Sequence, residues 1–573
     1  MVEWSWDLLS EGERTLARRL AVFGGGATPE AAEAVCADEG LPATAVVGLL
    51  GALADKSFVQ LREAPGAPAR YRMLDTIRAY AGAALAQAGE SDEFRRVHAR
   101  YFLGRAEAAE PSLRSSGQVP HLAWLRREHD NLAAALRYAI SAADAETAVR
   151  LVAALGWYWT LRGNHAEAAS WIREVLALPG ADAGVRVPRE ALAAVYAYDA
   201  MHHFAIQDFE RGQASAARAD DLAGAVPQPA AGPHADPHAA GPHPATTLVG
   251  VLLRQQVSGS ADFTELAEHP DPWLSATGHL YRGFAAELHG DVPAAAAAFA
   301  AARDAFSAIG DGWGVASAVR HLGAGHGLGG DHGAAIAALD HSIRFADAVG
   351  SEDDAAWMHA ERGMVLLRAG DLAAARADLD LARTSGHALR SPMVTGVAEA
   401  MLGEVSRHAG EPAEARSLLT AARRRLDDVN EVTGIPPRVR LLPLTGLARL
   451  AAAGGTLAEA RALLAEALRL LWPAAPLPIQ DRPAIAAVAE ALADLALADG
   501  RPADAARMLG YAAAVRGAPD QGNPDVRRAE AAARTALDGG YDGLYVQAAH
   551  VSADEAVTEV TALAGELTGA RSG

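Results

Sequence analysis

The sequence predicts a mainly α-helical chain: helical hairpins stacked side by side as a solenoid, behind a small N-terminal domain of helices and one β-hairpin. Three observations carry this. Gly290-Asp291, Gly330-Asp331, Gly370-Asp371 and Gly410-Glu411 recur every 40 residues. In phase with them stand Gly283, Gly323, Gly363 and Gly403 seven residues before, Ala295, Ala335, Ala375 and Ala415 five after, and Phe299, Leu339, Leu379 and Leu419 four further on. Near the N-terminus, Ser57–Arg62 and Arg70–Leu74 are short alternating segments joined by a Pro/Gly stretch, the pattern of a hairpin.

A glycine inside a helix costs ~1 kcal/mol relative to alanine. Four in-phase glycines therefore ask for a packing reason, and close approach of two helix backbones supplies it. At each Gly-Asp the glycine accepts the left-handed conformation that ends one helix, and the acid opens the next at its positive end. The second helix then presents a small and a large residue, four apart, on one face. Such a hairpin cannot close its own apolar face, so the array buries its core by stacking. The pattern continues less regularly at Gly455-Thr456 with Ala460 and Leu464, and at Gly500-Arg501 with Ala505 and Leu509. Upstream it returns at Gly156, Gly163-Asn164, Ala168 and Ile172, with Asp208 a weaker copy. It is similar to the tetratricopeptide repeat, with a period of 40 to 45 residues in place of about 34.

Taken in order, Ser10 is an N-cap with Glu11 and Glu13 in the first turn, and Leu16, Leu20 and Phe23 share a face. Gly24-Gly25-Gly26 ends that helix; Thr28-Pro29 starts a second, and Pro42 and Thr44 precede a third ending near Asp55. The hairpin and a helix from Asp75 to Ala88 complete a winged-helix domain over residues 1–88. Residues 89–145 read as a helical spacer, with Trp124, Leu125, His129, Leu132 and Leu136 on one face, and 146–222 as first repeat-like hairpins. Residues 223–247, dense in Pro, Ala, Gly and His, read as a mobile loop; His234, His238 and His243 there lack the ordered neighbours that a metal site needs. The solenoid proper spans 248–516, and 517–573 caps it with a Pro/Gly loop and helices whose acids Asp554, Glu555 and Glu559 face outward.

The chain has 573 residues, net charge −20 and a single cysteine, Cys36. One cysteine excludes an internal disulfide framework and reads as a small core residue. No uninterrupted apolar run approaches the ~20 residues of a membrane span, and the N-terminus lacks the pattern of a secretory signal, so a cytoplasmic protein is expected. Lys56 is the only lysine and follows Asp55, so no phosphate-cradling Gly-Lys-Ser/Thr loop is present. The glycine-rich run Gly323–Gly333 lies in the repeat phase and reads as a helix end and turn. Between Met1 and Tyr80 eight basic residues face eleven acidic ones, the wrong sign for a groove reader. There is no G-x-S-x-G elbow and no H-E-x-x-H, so no enzyme chemistry and no cofactor is expected. His202-His203 and His321, His326, His332 and His341 deserve a check as ligands, although His321 and His326 diverge by ~140° on a helix.

The segments Trp4-Ser5-Trp6-Asp7-Leu8-Leu9, Leu20–Gly25, Leu53–Val59 and Tyr71–Ala81 resemble the winged-helix domain of large actinobacterial transcriptional regulators. These are regulators of the Streptomyces antibiotic regulatory protein type and their relatives among the signal-transduction ATPases. The likeness continues through Arg96–Leu103, Trp124–Leu136 and Ala506–Tyr511. It implies a chain corresponding to the C-terminal, regulatory half of such a regulator, beginning where the family leaves its ATPase domain, as a cut piece or a shortened gene product. It also implies that the nucleotide-binding and DNA-binding domains of a parent are partners, and that the winged helix relays their state without touching DNA.

The first helix of each hairpin should line the concave face. By the glycine phase the candidate groove residues are Phe284, Glu287, Arg320, Trp357, Met364, Arg368, Glu404, Arg407 and His408. An aromatic, a methionine and several arginines suit a peptide segment or an anionic small molecule. The expected function is a non-enzymatic sensor module of a transcriptional regulator; a free-standing protein-binding scaffold is the alternative, and a hydrolase a distant third.

Overall fold

The computed structural model describes residues 2–63, 68–181, 187–206, 208–224, 242–258, 261–433, 437–472 and 481–569. They form two compact units, one of residues 1–160, 164–203 and 211–249, the other of 161–163, 204–210 and 250–573.

The first unit opens with α1 (Val2–Asp7), α2 (Glu11–Leu20), α3 (Pro29–Cys36) and α4 (Ala43–Asp55), then β1 (Val59–Arg62), β2 (Arg70–Met73) and α5 (Asp75–Gln87). Ser10 caps α2 reciprocally: its hydroxyl accepts from the Glu13 N–H and the Glu13 carboxylate accepts from the Ser10 N–H. Leu16, Leu20, Phe23, Val35, Cys36, Val46, Leu50, Leu53 and Phe58 form the interior. The strands are antiparallel, with Val59 opposite Met73 and Arg62 opposite Arg70. Three helices, a hairpin and a helix are the predicted winged helix, here preceded by the short α1.

Next come α6 (Ser91–Ala109), α7 (Gln118–Arg127) and α8 (His129–Ser141). Gly24-Gly25-Gly26 does more than end a helix. Asn131 on α8 accepts from the Gly25 N–H at 3.2 Å and donates to the Gly26 carbonyl at 3.0 Å. A Cβ on Gly24 would sit 2.9 Å from the Asp130 carbonyl oxygen. Arg70 donates to the carbonyls of Gly25 and Gly26 and pairs with Glu128, so hairpin, triple glycine and α8 are tied together. The helices α9 (Ala145–Leu161), α10 (His165–Leu176), α11 (Arg189–Ala205), α12 (Phe209–Gly224) and α13 (Pro244–Ser258) follow. On α9, Gly156 makes room for Tyr198, whose ring would lie 2.1 Å from a Cβ there. Most of the expected Pro/His loop, including His234 and His238, lies outside the described residues.

The second unit holds α14 (Thr264–Ala267) and then antiparallel pairs: α15 (Pro272–Leu288) with α16 (Val292–Ile309), α17 (Gly312–Leu328) with α18 (His332–Val349), and α19 (Glu352–Ala369) with α20 (Leu372–Ala388). The pairs continue with α21 (Pro392–His408) and α22 (Pro412–Thr433), α23 (Pro437–Ala453) and α24 (Leu457–Leu471), and α25 (Arg482–Ala498) and α26 (Pro502–Arg516). The phased glycines act as their spacing predicts. A Cβ on Gly283, Gly363 or Gly403 would lie 2.4, 2.6 or 2.7 Å from the side chain of Phe299, Leu379 or Leu419 across the hairpin. At Gly323 the neighbour is Ala338, at 2.6 Å, and not Leu339. Gly290, Gly330, Gly370 and Gly410 have φ of 70, 87, 88 and 78°. Asp291, Asp331 and Asp371 cap the following helices by accepting N–H bonds of 3.0 Å.

Among the described residues one helix, Val292–Ile309, is long and apolar enough to cross a membrane. Here it is the outer helix of a hairpin: Ala295, Phe299, Ala302 and Phe306 are buried, while Arg303 and Asp304 pair on the surface.

Helices α27 (Pro524–Leu537), α28 (Tyr541–Ala549) and α29 (Ala553–Thr568) finish the chain. On α29, Ala556, Val560, Ala564 and Leu567 are buried, whereas Asp554, Glu555 and Glu559 are exposed; the helix packs on α24, α25 and α26. The segment between α26 and α27 runs back across the inner helices. Gly517 lies against the Gly290 carbonyl, the Gly522 N–H donates to the Leu328 carbonyl at 3.1 Å, and Arg482 donates to the His289 carbonyl at 2.6 Å. The last hairpin thereby meets the first.

Candidate functional site

The inner helices of the second unit enclose a cavity of about 380 Å³, within the range of small-ligand sites. Its lining includes the apolar side chains of Phe299, Leu322, Met364, Met401 and Leu442. It also carries five carboxylates (Glu287, Glu404, Glu490, Asp520, Asp525) and three guanidiniums (Arg368, Arg449, Arg516), together with His321 and His408. Helix phase puts them there: Glu404 and His408 are one turn apart on α21, Asp520 arrives from the segment that crosses the inner helices, and Asp525 from the first turn of α27.

The charges are paired. Arg407 donates to Glu404 Oε2 at 2.7 Å and to Asp525 Oδ1 at 3.2 Å; His408 Nε2 lies 3.3 Å from Asp525 Oδ2. Arg449 donates to Asp494 at 3.0 Å and stands 3.9 Å from Asp525. Arg368 pairs with Asp520, Arg516 with Glu490 at 2.6 Å, and His321 with Glu287 at 3.0 Å. Burial alone would raise the Asp525 carboxyl; the His408 hydrogen bond and the guanidiniums of Arg449 and Arg407 outweigh it and hold the group far below the usual carboxylate range. Glu490 is different: burial wins over Arg516 and pushes its carboxyl up. At Glu287, burial pushes up and the His321 bond wins, leaving the carboxyl lowered.

Five of the nine groove candidates, Glu287, Met364, Arg368, Glu404 and His408, line this cavity. The other four sit elsewhere. Phe284 packs against Tyr281, Phe299 and His321. Arg320 and Trp357 both donate to Glu361, at 2.6 and 2.8 Å. Arg407 backs the wall through Glu404 and Asp525. Sequence reasoning missed Arg449, Glu490, Arg516, Asp520 and Asp525, and singled out His321 as a candidate metal ligand and not as a groove residue. The acidic Gly/Pro run Gly517–Asp525 was the available signal for Asp520 and Asp525.

Among the described residues, Glu404, His408 and Asp525 offer three metal-ligand atoms within 4.8 Å of one another. Arg407 already donates to both carboxylates, so a cation fills the place that a divalent ion needs. Elsewhere, His202 and His165 share one hydrogen bond through their Nδ1 atoms at 3.0 Å, and His203 faces Asp199 at 3.4 Å. His326 and His341 are exposed, and His332 is half-buried. His243 meets Glu110 at 3.0 Å. His98 is buried against Phe23 and Phe102.

In the winged helix, no Lys or Arg occurs from Leu20 to Asp55, the stretch that contains α3 and α4. The outer face of α4 is Thr44, Val47 and Gly48, and Val47 is 47% exposed. A face without cations cannot exchange counterions with a phosphate backbone.

Residues 9–86 match the family model of a winged helix-turn-helix domain. A protein named as an HTH-type transcriptional regulator of Mycobacterium tuberculosis is 35% identical over 178 residues, which are 30% of this chain and 20% of that protein. An uncharacterized protein of the same organism is 44% identical over 101 residues, 18% of this chain and 25% of its own length. The chain thus spans about a fifth to a quarter of the length of these curated relatives. Among solved structures, a Pyrococcus horikoshii signal-transduction ATPase with numerous domains and a tetratricopeptide repeat sensor aligns over 95% of this chain and 66% of its own, at 12% identity and a TM-score of 0.34. A Rap protein complexed with competence and sporulation factor aligns over 74% and 99%, at 10% identity and a TM-score of 0.39. At these values the structural likenesses carry no functional argument.

Proposed function

We propose that this chain is the sensor part of a transcriptional regulator, in which occupancy of the solenoid cavity is relayed to nucleotide-binding and DNA-binding domains of a parent protein. The carrying observation is the cavity itself, lined by apolar side chains and by ion pairs, on the inner helices of a solenoid. It supports reversible recognition. The carboxylates and guanidiniums of the lining are paired with one another, with charges behind the wall or with histidine, an arrangement suited to exchanging one charged partner for another. The match of residues 9–86 to a winged helix-turn-helix domain and the regulator relatives support the regulatory setting. The cation-free α3 and α4 favour relay over DNA contact.

Mass spectrometry of the gently purified chain, followed by thermal shift with each retained compound, tests this reading. A specific ligand should raise the melting temperature of the wild type and lose that effect in Met364→Trp, which fills the cavity. Ligands that stabilise both chains equally would place binding elsewhere.

A second reading, a protein-binding scaffold, draws on one feature. Leu8, Val47, Leu61 and Leu74 are 60, 47, 46 and 48% exposed, all on the winged helix, and exposed apolar side chains concentrated on one domain favour a protein partner. Stoichiometric co-purification of a protein, abolished by Leu8→Glu together with Val47→Glu, would support it.

A further inference from the structure

We infer that the concave wall of the solenoid is a receptor for an acidic peptide turn, and that Gly517–Asp525 (GAPDQGNPD) is its built-in occupant, which an acidic segment of a partner protein displaces. The inference rests on the proposed sensor role of the cavity and names what competes for it.

The charge pairing of the wall is the first support. Without Asp520 and Asp525 the lining keeps three carboxylates, Glu287, Glu404 and Glu490, against three guanidiniums, Arg368, Arg449 and Arg516, with Arg407 and Asp494 behind them as one further charge of each sign. Overall charge is then balanced, but Arg368 has no carboxylate and Arg407, Arg449 and His408 each lack one partner, and the crossing segment delivers both missing groups. Asp520 goes to Arg368, and Asp525 goes to Arg407, Arg449 and His408.

The manner of binding is the second. The segment engages as a peptide ligand would, by two anionic anchors five residues apart and one main-chain bond, from the Gly522 N–H to the Leu328 carbonyl. Between the anchors the fit is tight only for glycine: a Cβ at Gly522 would lie 2.0 Å from the Gly327 carbonyl oxygen. Gln521 stays exposed while Asp520, Gly522 and Asp525 are buried. Because the occupant is tethered, its effective concentration is on the order of millimolar, so a free peptide must compete against it.

The probe is the synthetic nonapeptide of residues 517–525, fluorescently labelled and titrated by anisotropy against the full chain. In Asp520→Ala/Gly522→Val the crossing segment loses one anchor and is forced off by the new side chain, while the wall is untouched. This variant should bind the peptide at least tenfold more tightly than the wild type, and adding Arg368→Glu should abolish the gain. Circular dichroism at 222 nm confirms that the helices survive. On the unaltered wild type, hydrogen exchange offers an independent arm: the Gly522 amide should exchange by local opening, orders of magnitude faster than the amides of α26. Equal peptide binding by variant and wild type, or a Gly522 amide that exchanges only with global unfolding, overturns the inference and makes the segment a fixed brace. If the peptide fails to bind but a retained ligand still shifts the wild type and not Met364→Trp, the receptor inference falls and the sensor reading stands; failure of both removes both.

Discussion

Arg407 on α21 and Asp525 at the start of α27 lie 118 positions apart in sequence and are joined by a two-point ion pair, Nη1 donating to Oδ1 at 3.2 Å and Nη2 to Oδ2. The same guanidinium donates to Glu404. One side chain thus links an inner helix of the solenoid to the C-terminal helices, in a place where both carboxylates are less than a tenth exposed. Removing one partner of such a pair leaves a charge stranded in low dielectric.

Arg407→Met should therefore destabilise the second unit by ~3 kcal/mol, the lower part of the range for broken buried pairs because Arg449 and His408 still attend Asp525. Urea unfolding at pH 7 measures it. Arg407→Met/Asp525→Asn should lose less than the sum of the single changes; strict additivity would show the two residues to be uncoupled.

Close helix approach at the phased glycines makes a second expectation. Gly363→Ala places a methyl 2.6 Å from Leu379, and Ala375→Leu crowds a fully buried position in the facing helix. Each should cost ~1–3 kcal/mol by overpacking, read as a fall in melting temperature. The exposed Gly370, at a hairpin turn with φ of 88°, should give a loss on substitution by Ala through backbone strain alone, and substitution by Asn should restore part of it.

The hairpins and their caps were legible in the sequence because the spacing of Gly, Asp and Ala reports contacts between residues about a turn or a hairpin apart. The concave wall was half legible. Each inner helix advances ~100° per residue, and the glycine phase fixes which side meets the outer helix but not which neighbour reaches the cavity, so His321 faces it where Arg320 was expected. The segment Gly517–Asp525 read as an ordinary loop, since its partners Gly290, Leu328, Arg368 and Arg407 lie more than a hundred residues upstream and no local pattern encodes them. Gly24-Gly25-Gly26 was read as a helix end for the same reason: Asn131, which grips it, is 105 and 106 positions away.

Acid should weaken the first unit. Burial holds the His98 imidazole down to about 4 against an unfolded value near 6.5. Above ~6.5 both states are neutral and the residue contributes nothing pH-dependent. As pH falls from there toward 4, the unfolded chain takes up a proton that the folded chain refuses, and stability drops by up to ~3 kcal/mol. His202, held down to about 3, acts in the same direction. His98→Phe, set between Phe23 and Phe102, should lose less melting temperature than the wild type between pH 7.5 and 5. Parallel losses in the two chains would show that His98 does not resist protonation.

The winged helix should ignore duplex DNA. Nonspecific binders reach dissociation constants of ~10⁻⁴–10⁻⁶ M through phosphate contacts that weaken with salt, and the stretch from Leu20 to Asp55 supplies no cation. Anisotropy with a random 30-mer duplex at low salt should show no salt-sensitive association; binding that weakens steeply with added salt would contradict the reading.

A linear array of repeats unravels from its extremities, because a terminal unit has a neighbour on one side only. In the second unit Arg482 bonds to His289 and Gly517 rests on Gly290, so the array bites its own tail and α15 is buttressed from both flanks. Opening such a hoop requires breaking two seams at once, and its repeats should therefore melt together in a single sharp transition where an open array of this length would fray in steps.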